Sequence, residues 1–216
     1  MTMNYETQVT ESGKYNKPNY LTLRRWSSYA IQVREAMILK PGRILEIGPG
    51  NNIVNGILRG MGYEVETIDI DARVNPNHIG SVNDKKITDK LAGRFDLILA
   101  CQIFEHLQYE DFLKTLNSSR EVAPTMIMSL PYTEINSKFF QFSLKIPGLK
   151  KISFASKIIY KPIKHKFNGE HYWEMGKKGY PLARIRSDIE SAGWNISKSF
   201  LNPDNPFHYF FVLSRK

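Results

Sequence analysis

Two groups of residues in this chain are of types that do chemistry. The first is Glu46-Ile47-Gly48-Pro49-Gly50, with Asp69 following it. Glycines let a backbone approach a ligand closely, and a loop that opens a helix presents unpaired N–H groups to an anion. A carboxylate about twenty residues further on can accept hydrogen bonds from ribose hydroxyls. The second group is His106 and His171. Imidazole exchanges protons near neutral pH, so either residue can take a proton from a hydroxyl.

These residues need elements to hold them. Arg43–Ile47 is a short aliphatic run, and the apolar-periodic segment Ile53–Leu58 follows the Gly-Pro-Gly turn. That order predicts a buried strand, a tight loop and a helix. Further strands are predicted over Tyr63–Asp69, weakly over His78–Val82, over Phe95–Cys101, and over Thr125–Leu130 up to Pro131. Upstream, Leu23, Trp26, Tyr29, Ala30, Val33 and Met37 recur at helical steps and predict one apolar helix face, stopped by Lys40-Pro41-Gly42. Short helices are expected near Asp84–Leu91 and Asp111–Leu116, and a last one over about 183–192, ending at Gly193. Two strands, about 195–201 and 208–214, close the chain as an antiparallel pair. Strands alternating with helices predict an α/β fold with an open, mostly parallel sheet covered on both faces. In such sheets ligands bind outside the carboxyl ends of the strands, where strand order reverses. The Gly-Pro-Gly loop, Asp69 and the residues after Cys101 all belong to that end.

The loop lacks the third glycine of a dinucleotide fingerprint, because Asn51-Asn52-Ile53 follows Gly50. No Gly-Lys-Ser/Thr follows either, so a phosphate-binding P-loop is excluded. A small anionic group such as an amino-acid carboxylate still fits the loop, and a ribose fits Asp69. An amino-acid-plus-nucleoside cofactor satisfies both.

Leu45–Gly50, then Thr67-Ile68-Asp69-Ile70-Asp71, then Phe95–Leu99 with Phe104-Glu105-His106-Leu107, resemble the ordered motifs of class I S-adenosylmethionine-dependent methyltransferases. The resemblance covers Trp26–Pro131 and, in outline, the last strands. It implies a Rossmann-like, doubly wound, mostly parallel seven-stranded sheet with an antiparallel last strand and an insert after strand 5. It implies S-adenosyl-L-methionine as cofactor and S-adenosyl-L-homocysteine as product. Gly48 and Gly50, with Pro49 between them, would pass under the methionine end, and Glu46 would help hold the amino group. Asp69, followed by Ile70, would bind the ribose, with Asp71 as the alternative acid. Ser81 and Val82 fall beside the adenine, where serine replaces the usual Asp. Gln102 lies where cofactor and acceptor meet. In some quinone-biosynthesis relatives an E-x-x-E-H pattern is linked to a metal; here Gln102 replaces the first acid, and no metal is expected. Ser129-Leu130-Pro131-Tyr132 follows the fifth strand and has one proline, so it is not the motif of amino-methyltransferases.

The acceptor side is expected in residues 135–174, read as an insert or lid within a single domain over 1–216 that carries a polar arm over 1–18. Residues 135–169 contain no Asp or Glu, but eight lysines interleaved with aromatics and aliphatics. The stretch reads as a lid, as a contact with anionic membrane, or as a nucleic-acid contact. Glu170-His171-Tyr172-Trp173-Glu174 can stack on a ring and bond its hydroxyls, or can simply pack the insert onto the sheet. A single cysteine, Cys101, excludes an internal disulfide and a cysteine zinc site. No apolar run is long enough for a membrane span and no secretory signal is visible, which predicts a cytoplasmic protein. A net charge of +9 favours polyanionic partners. The leading expectation is O-methylation of a small-molecule, sugar or lipid-linked hydroxyl. The alternatives are an RNA methyltransferase and a non-catalytic S-adenosylmethionine-binding protein on the same fold.

Overall fold

The computed structural model describes residues 13, 15, 17–148 and 152–216. Its central element is a seven-stranded sheet of order β3-β2-β1-β4-β5-β9-β8. The strands are β1 (Arg43–Ile47), β2 (Glu64–Asp69), β3 (His78–Ile79), β4 (Leu97–Cys101), β5 (Thr125–Pro131), β8 (Trp194–Leu201) and β9 (His208–Arg215). The first five pair in parallel, and β9 runs antiparallel between β5 and β8. The expected architecture is therefore present. Ile44 and Leu45, neighbours on β1, are both fully buried but belong to cores on opposite faces of the sheet. This is why β1, β4 and β5 read as near-continuous aliphatic runs, whereas β2 alternates.

One face is covered by α1 (Leu23–Leu39) and α2 (Ile53–Gly60). The other is covered by α3 (Lys85–Leu91), α4 (Tyr109–Val122) and α5 (Leu182–Ser191). Strand order reverses at β1, whose two neighbours are β2 and β4. The loop after β1, Asp69 at the end of β2 and Gln102 after β4 are thereby brought to one crevice.

Two expectations need correction. The buried face of α1 is Ser28, Tyr29, Gln32, Val33, Glu35 and Ala36. Leu23, Trp26 and Met37, expected inside, are exposed by 88%, 42% and 42%. Polar residues face inward because they meet partners remote in sequence. Ser28 Oγ accepts from Asn202 Nδ2 at 2.9 Å, and Glu35 accepts from Lys198 Nζ at 2.8 Å. Second, the third strand stops at Ile79, because Gly80 takes a φ of 145° that L side chains rarely adopt; Ser81 and Val82 lie in the loop beyond it. Residues 135–169, to which no element was assigned above, are partly regular. They contain β6 (Ser137–Leu144) and β7 (Ile152–Ile159), an antiparallel hairpin separate from the main sheet. The arm over 1–18 lies largely outside the described residues.

Residues 172–175 are fastened at several points. Tyr172 N–H donates to Glu105 O at 2.9 Å, and Met175 N–H to Pro131 O at 3.0 Å. Between them Trp173 is fully buried, donates its indole N–H to Leu107 O at 3.1 Å, and packs against Tyr109, Phe112 and Tyr180. Of the two sequence readings of this aromatic, the packing one holds. Trp173→Ala is expected to cost about 3–5 kcal/mol of unfolding free energy, measured by urea denaturation. A loss below about 1 kcal/mol would show that this cluster does not hold the segment.

Candidate active site

The loop after β1 uses left-handed backbone at Gly48 (φ 66°) and Gly50 (φ 55°). Gly48 N–H donates to Ile68 O at 2.9 Å, which ties the loop to β2. A Cβ on Gly48 would meet the tip of the Ile103 side chain, which would have to move, and the positive φ strains any larger residue there. Asn52 opens α2, and its side chain donates to Val74 O at 2.9 Å. Glu46, at the end of β1, is buried and accepts from Asn55 Nδ2 at 2.7 Å. Burial pushes its carboxyl up to about 7, against the opposing pull of Asn55 and the Arg59 charge.

Asp69 and Asp71 are differently placed. Asp69 Oδ1 accepts from Asp71 N–H at 2.8 Å, and burial raises its pKa. Asp71 is engaged by Arg73, from the backbone N–H at 2.9 Å and the guanidinium at 2.8 Å, which holds its carboxyl below the usual range. Both border the crevice, and of the two Asp69, at the end of β2, is the one not clamped by an arginine.

On the other side, Gln102 follows β4 in a left-handed conformation (φ 59°). Its N–H donates to Ser129 O at 2.9 Å and its amide to Ser129 Oγ at 3.2 Å. A 3-10 turn, Phe104–His106, comes next. Glu105 there is fully buried, and neither carboxylate oxygen meets a hydrogen-bond partner among the described residues. Burial pushes its carboxyl up to about 7, with the His171 charge opposing. The rings of His106 and His171 meet edge to face, 5.1 Å between centroids. His171 Nδ1 lies 3.1 Å from Glu174 Oε1, and Glu174 Oε2 lies 3.4 Å from Lys177 Nζ. Burial works against a charged His171. The hydrogen bond to Glu174 and the charges of Glu105, Glu174 and Glu170 outweigh it, so its pKa is raised. Glu174 is lowered in turn: burial opposes the carboxylate, but His171 and Lys177 prevail. Glu105, His106 and His171 each offer one ligand atom, all within 4.8 Å of one another, a donor set of the kind that can take a divalent cation.

These parts wall one cavity of about 490 Å³. All the sequence candidates border it: Glu46, Gly48, Pro49, Gly50, Asp69, Ile70, Ser81, Val82, Gln102, His106 and His171. Sequence reasoning missed several other wall residues. Tyr15 lies 3.7 Å from where a Gly50 Cβ would stand. It meets Tyr20 edge to face at 5.2 Å, and Arg25 sits 3.9 Å over the Tyr20 ring. Burial pushes the Tyr15 phenol up to about 12. Two tyrosines in an otherwise polar segment were the available signal. His208 also borders the cavity, and burial pushes its pKa down to about 3, so it stays neutral. It carried no sequence signal beyond its place at the start of the last strand.

The family described as a methyltransferase domain matches residues 23–132, just over half of the chain. No curated protein matches the sequence. Among solved structures, the chain is similar to the glycopeptide N-methyltransferase MtfA complexed with S-adenosyl-L-homocysteine, at 12% identity and a TM-score of 0.57, covering 88% of this chain and 90% of that one. It is similar to the 1,6-didemethyltoxoflavin-N1-methyltransferase of Burkholderia thailandensis, at 14% identity and 0.53, covering 99% and 93%. A third is an S-adenosylmethionine-dependent methyltransferase from Clostridium acetobutylicum, at 10% and 0.55, covering 93% and 96%. At these identities the likeness is one of fold. The chain belongs to the methyltransferase-domain family, and its strand order and ordered motifs are those of class I S-adenosylmethionine-dependent methyltransferases.

Proposed function

We propose that this chain methylates a hydroxyl of a small-molecule, sugar or lipid-linked acceptor, with S-adenosylmethionine as donor and His171 as proton acceptor. The observation that carries this reading is the His171–Glu174 pair, whose imidazole borders the same cavity as the glycine loop. A hydroxyl needs its proton removed as it attacks, and a carboxylate-oriented imidazole is built for that step. A neutral amine would need no such base.

The cavity residues fit the donor. The Gly48 cradle, left-handed and with the Ile103 side chain against it, suits close passage of an amino-acid end. Glu46 would meet its amino group, and Asp69 the ribose hydroxyls. Ser81 and Val82, in the loop after β3, would flank the adenine. When bound, S-adenosylmethionine supplies a sulfonium methyl whose carbon–sulfur bond breaks as the carbon–oxygen bond forms, leaving a neutral thioether. The chain contributes alignment, exclusion of water, and a place for the proton. Glu174 holds His171 by Nδ1, which leaves Nε2 to receive that proton. Tyr15 and Tyr20 border the same cavity at the glycine loop and shield it. Gln102 has an amide where the metal-linked pattern has an acid, so no step is assigned to a cation, and chelation with EDTA is expected to leave turnover unchanged.

Three outcomes test this reading. In calorimetric titration with S-adenosylmethionine, Asp69→Asn is expected to weaken binding about tenfold or more, while Asp71→Asn changes it by less than about twofold. The reverse order would move the ribose to Asp71. His171→Ala should lower kcat about a hundredfold with cofactor affinity unchanged; retained turnover on the true acceptor removes His171 from the mechanism. The base works only when neutral, so activity should rise with pH through a value above the usual 6.5 of histidine. Glu174→Gln removes the partner that favours the charged ring and should move this limb to lower pH. A limb unmoved in that variant would assign the titration to another group.

A further inference from the structure

The hairpin β6–β7 rests on the protein through one face at its Ser137–Ile159 end, while Lys138–Leu144, Phe139 at 36% included, are exposed. Its register pairs Phe139 with Lys157 and Ser137 with Ile159 on the inner face. Ile159 packs on the main core. Lys157 is buried, and its ammonium donates to Tyr132 O at 2.8 Å, to Thr133 O at 3.4 Å and to Pro206 O. The alternate positions form the outer face: Lys138 opposite Ile158, Phe140 opposite Ser156, Phe142 opposite Phe154. There Phe140, Phe142, Phe154 and Ile158 are exposed by 51%, 58%, 63% and 55%. A sheet face of adjacent bare aromatics is a surface that something covers.

Charge selects the occupant. Residues 135–169 carry no Asp or Glu. Lys138 and Lys145 on the hairpin, and Lys161, Lys164 and Lys166 just after it, are exposed. A second copy seated on this face would bring lysines against lysines with no acid between them. A nucleic-acid strand needs cations spaced along its track, whereas the centre of this face, Phe140, Phe142, Phe154 and Ser156, carries no cation. An anionic bilayer surface satisfies both features, since aromatics enter the interfacial layer and the surrounding ammonium groups meet lipid phosphates.

We propose that the outer face of the β6–β7 hairpin docks this protein on anionic phospholipid membrane. The hairpin's inner face is held at Tyr132–Thr133 and Pro206, and the chain leaving it runs into Glu170 and His171 on the cavity wall. Docking therefore sets the acceptor side of the cavity beside the lipid surface. Delivery of a lipid-borne hydroxyl there rests on the methyl-transfer reading; the docking itself does not.

The test is co-sedimentation of the full chain with phosphatidylcholine vesicles, with and without phosphatidylglycerol, at low and high salt. It needs neither acceptor nor turnover, so its failure is distinct from failure of the enzymatic reading. The expected result is partition onto the phosphatidylglycerol vesicles that weakens with salt. It should fall about tenfold or more in the double variant Phe142→Ser/Phe154→Ser and in Lys138→Glu/Lys145→Glu. Thermal unfolding and S-adenosylmethionine titration of these surface variants should match the parent. A tryptophan placed by Phe154→Trp should be quenched by brominated phosphatidylglycerol. Equal partition onto both vesicle types, wild-type partition by the double-Phe variant, or no quenching overturns the proposal. So does a stable dimer lost in the double-Phe variant, or capture of single-stranded RNA in place of vesicles.

Discussion

The pairing of β1 with β2 on one side and β4 on the other is the constraint on which the site depends. Because these strands run parallel, their carboxyl ends lie at one edge of the sheet, and the connections leaving β1 and β4 turn to opposite faces. The crevice between them follows from the topology alone. What the residues add is its chemistry. Glycines at 48 and 50 allow the backbone to pass close beneath a ligand. A buried Glu46 and a half-buried Asp69 supply acceptors at two depths.

The His171 side of the cavity depends on a second, less regular constraint. His171 lies in no helix or strand, yet it reaches the cavity because residues 172–175 are fastened to β5, to the turn around Glu105, and through Trp173 to α4. Backbone hydrogen bonds give this segment the precision that a loop otherwise lacks. The same fastening sets Glu105, whose carboxyl oxygens meet no hydrogen-bond partner among the described residues, close to His106 and His171. A buried carboxylate without partners is unfavourable to the folded chain, and such groups concentrate where function demands them.

Much of the fold was legible because its signals are local. β1, β4 and β5 are aliphatic runs, β2 alternates and ends at Asp69, and a strand end fixes which residues meet at the crevice. Asp69 and the Gly48–Gly50 loop could be read for that reason. The face of α1 could not be. Ser28 and Glu35 turn inward to meet Asn202 and Lys198, which lie more than a hundred residues away in sequence. Apolar periodicity contains no trace of such partners. The hairpin was hidden for a related cause: its inner face is anchored by a buried lysine and its outer face is aromatic, which inverts the pattern expected of a half-buried strand. Tyr15 and Tyr20 were passed over because a polar segment gives no sign of folding back over a pocket.

The most direct test of the account is a crystal structure with S-adenosylhomocysteine. The account predicts its carboxylate at the Gly48–Gly50 loop, its ribose on Asp69, and its sulfur turned toward Gln102 with His171 across the open volume. An adenosyl group lying away from Asp69, or a sulfur facing a wall that does not include His171, would contradict it.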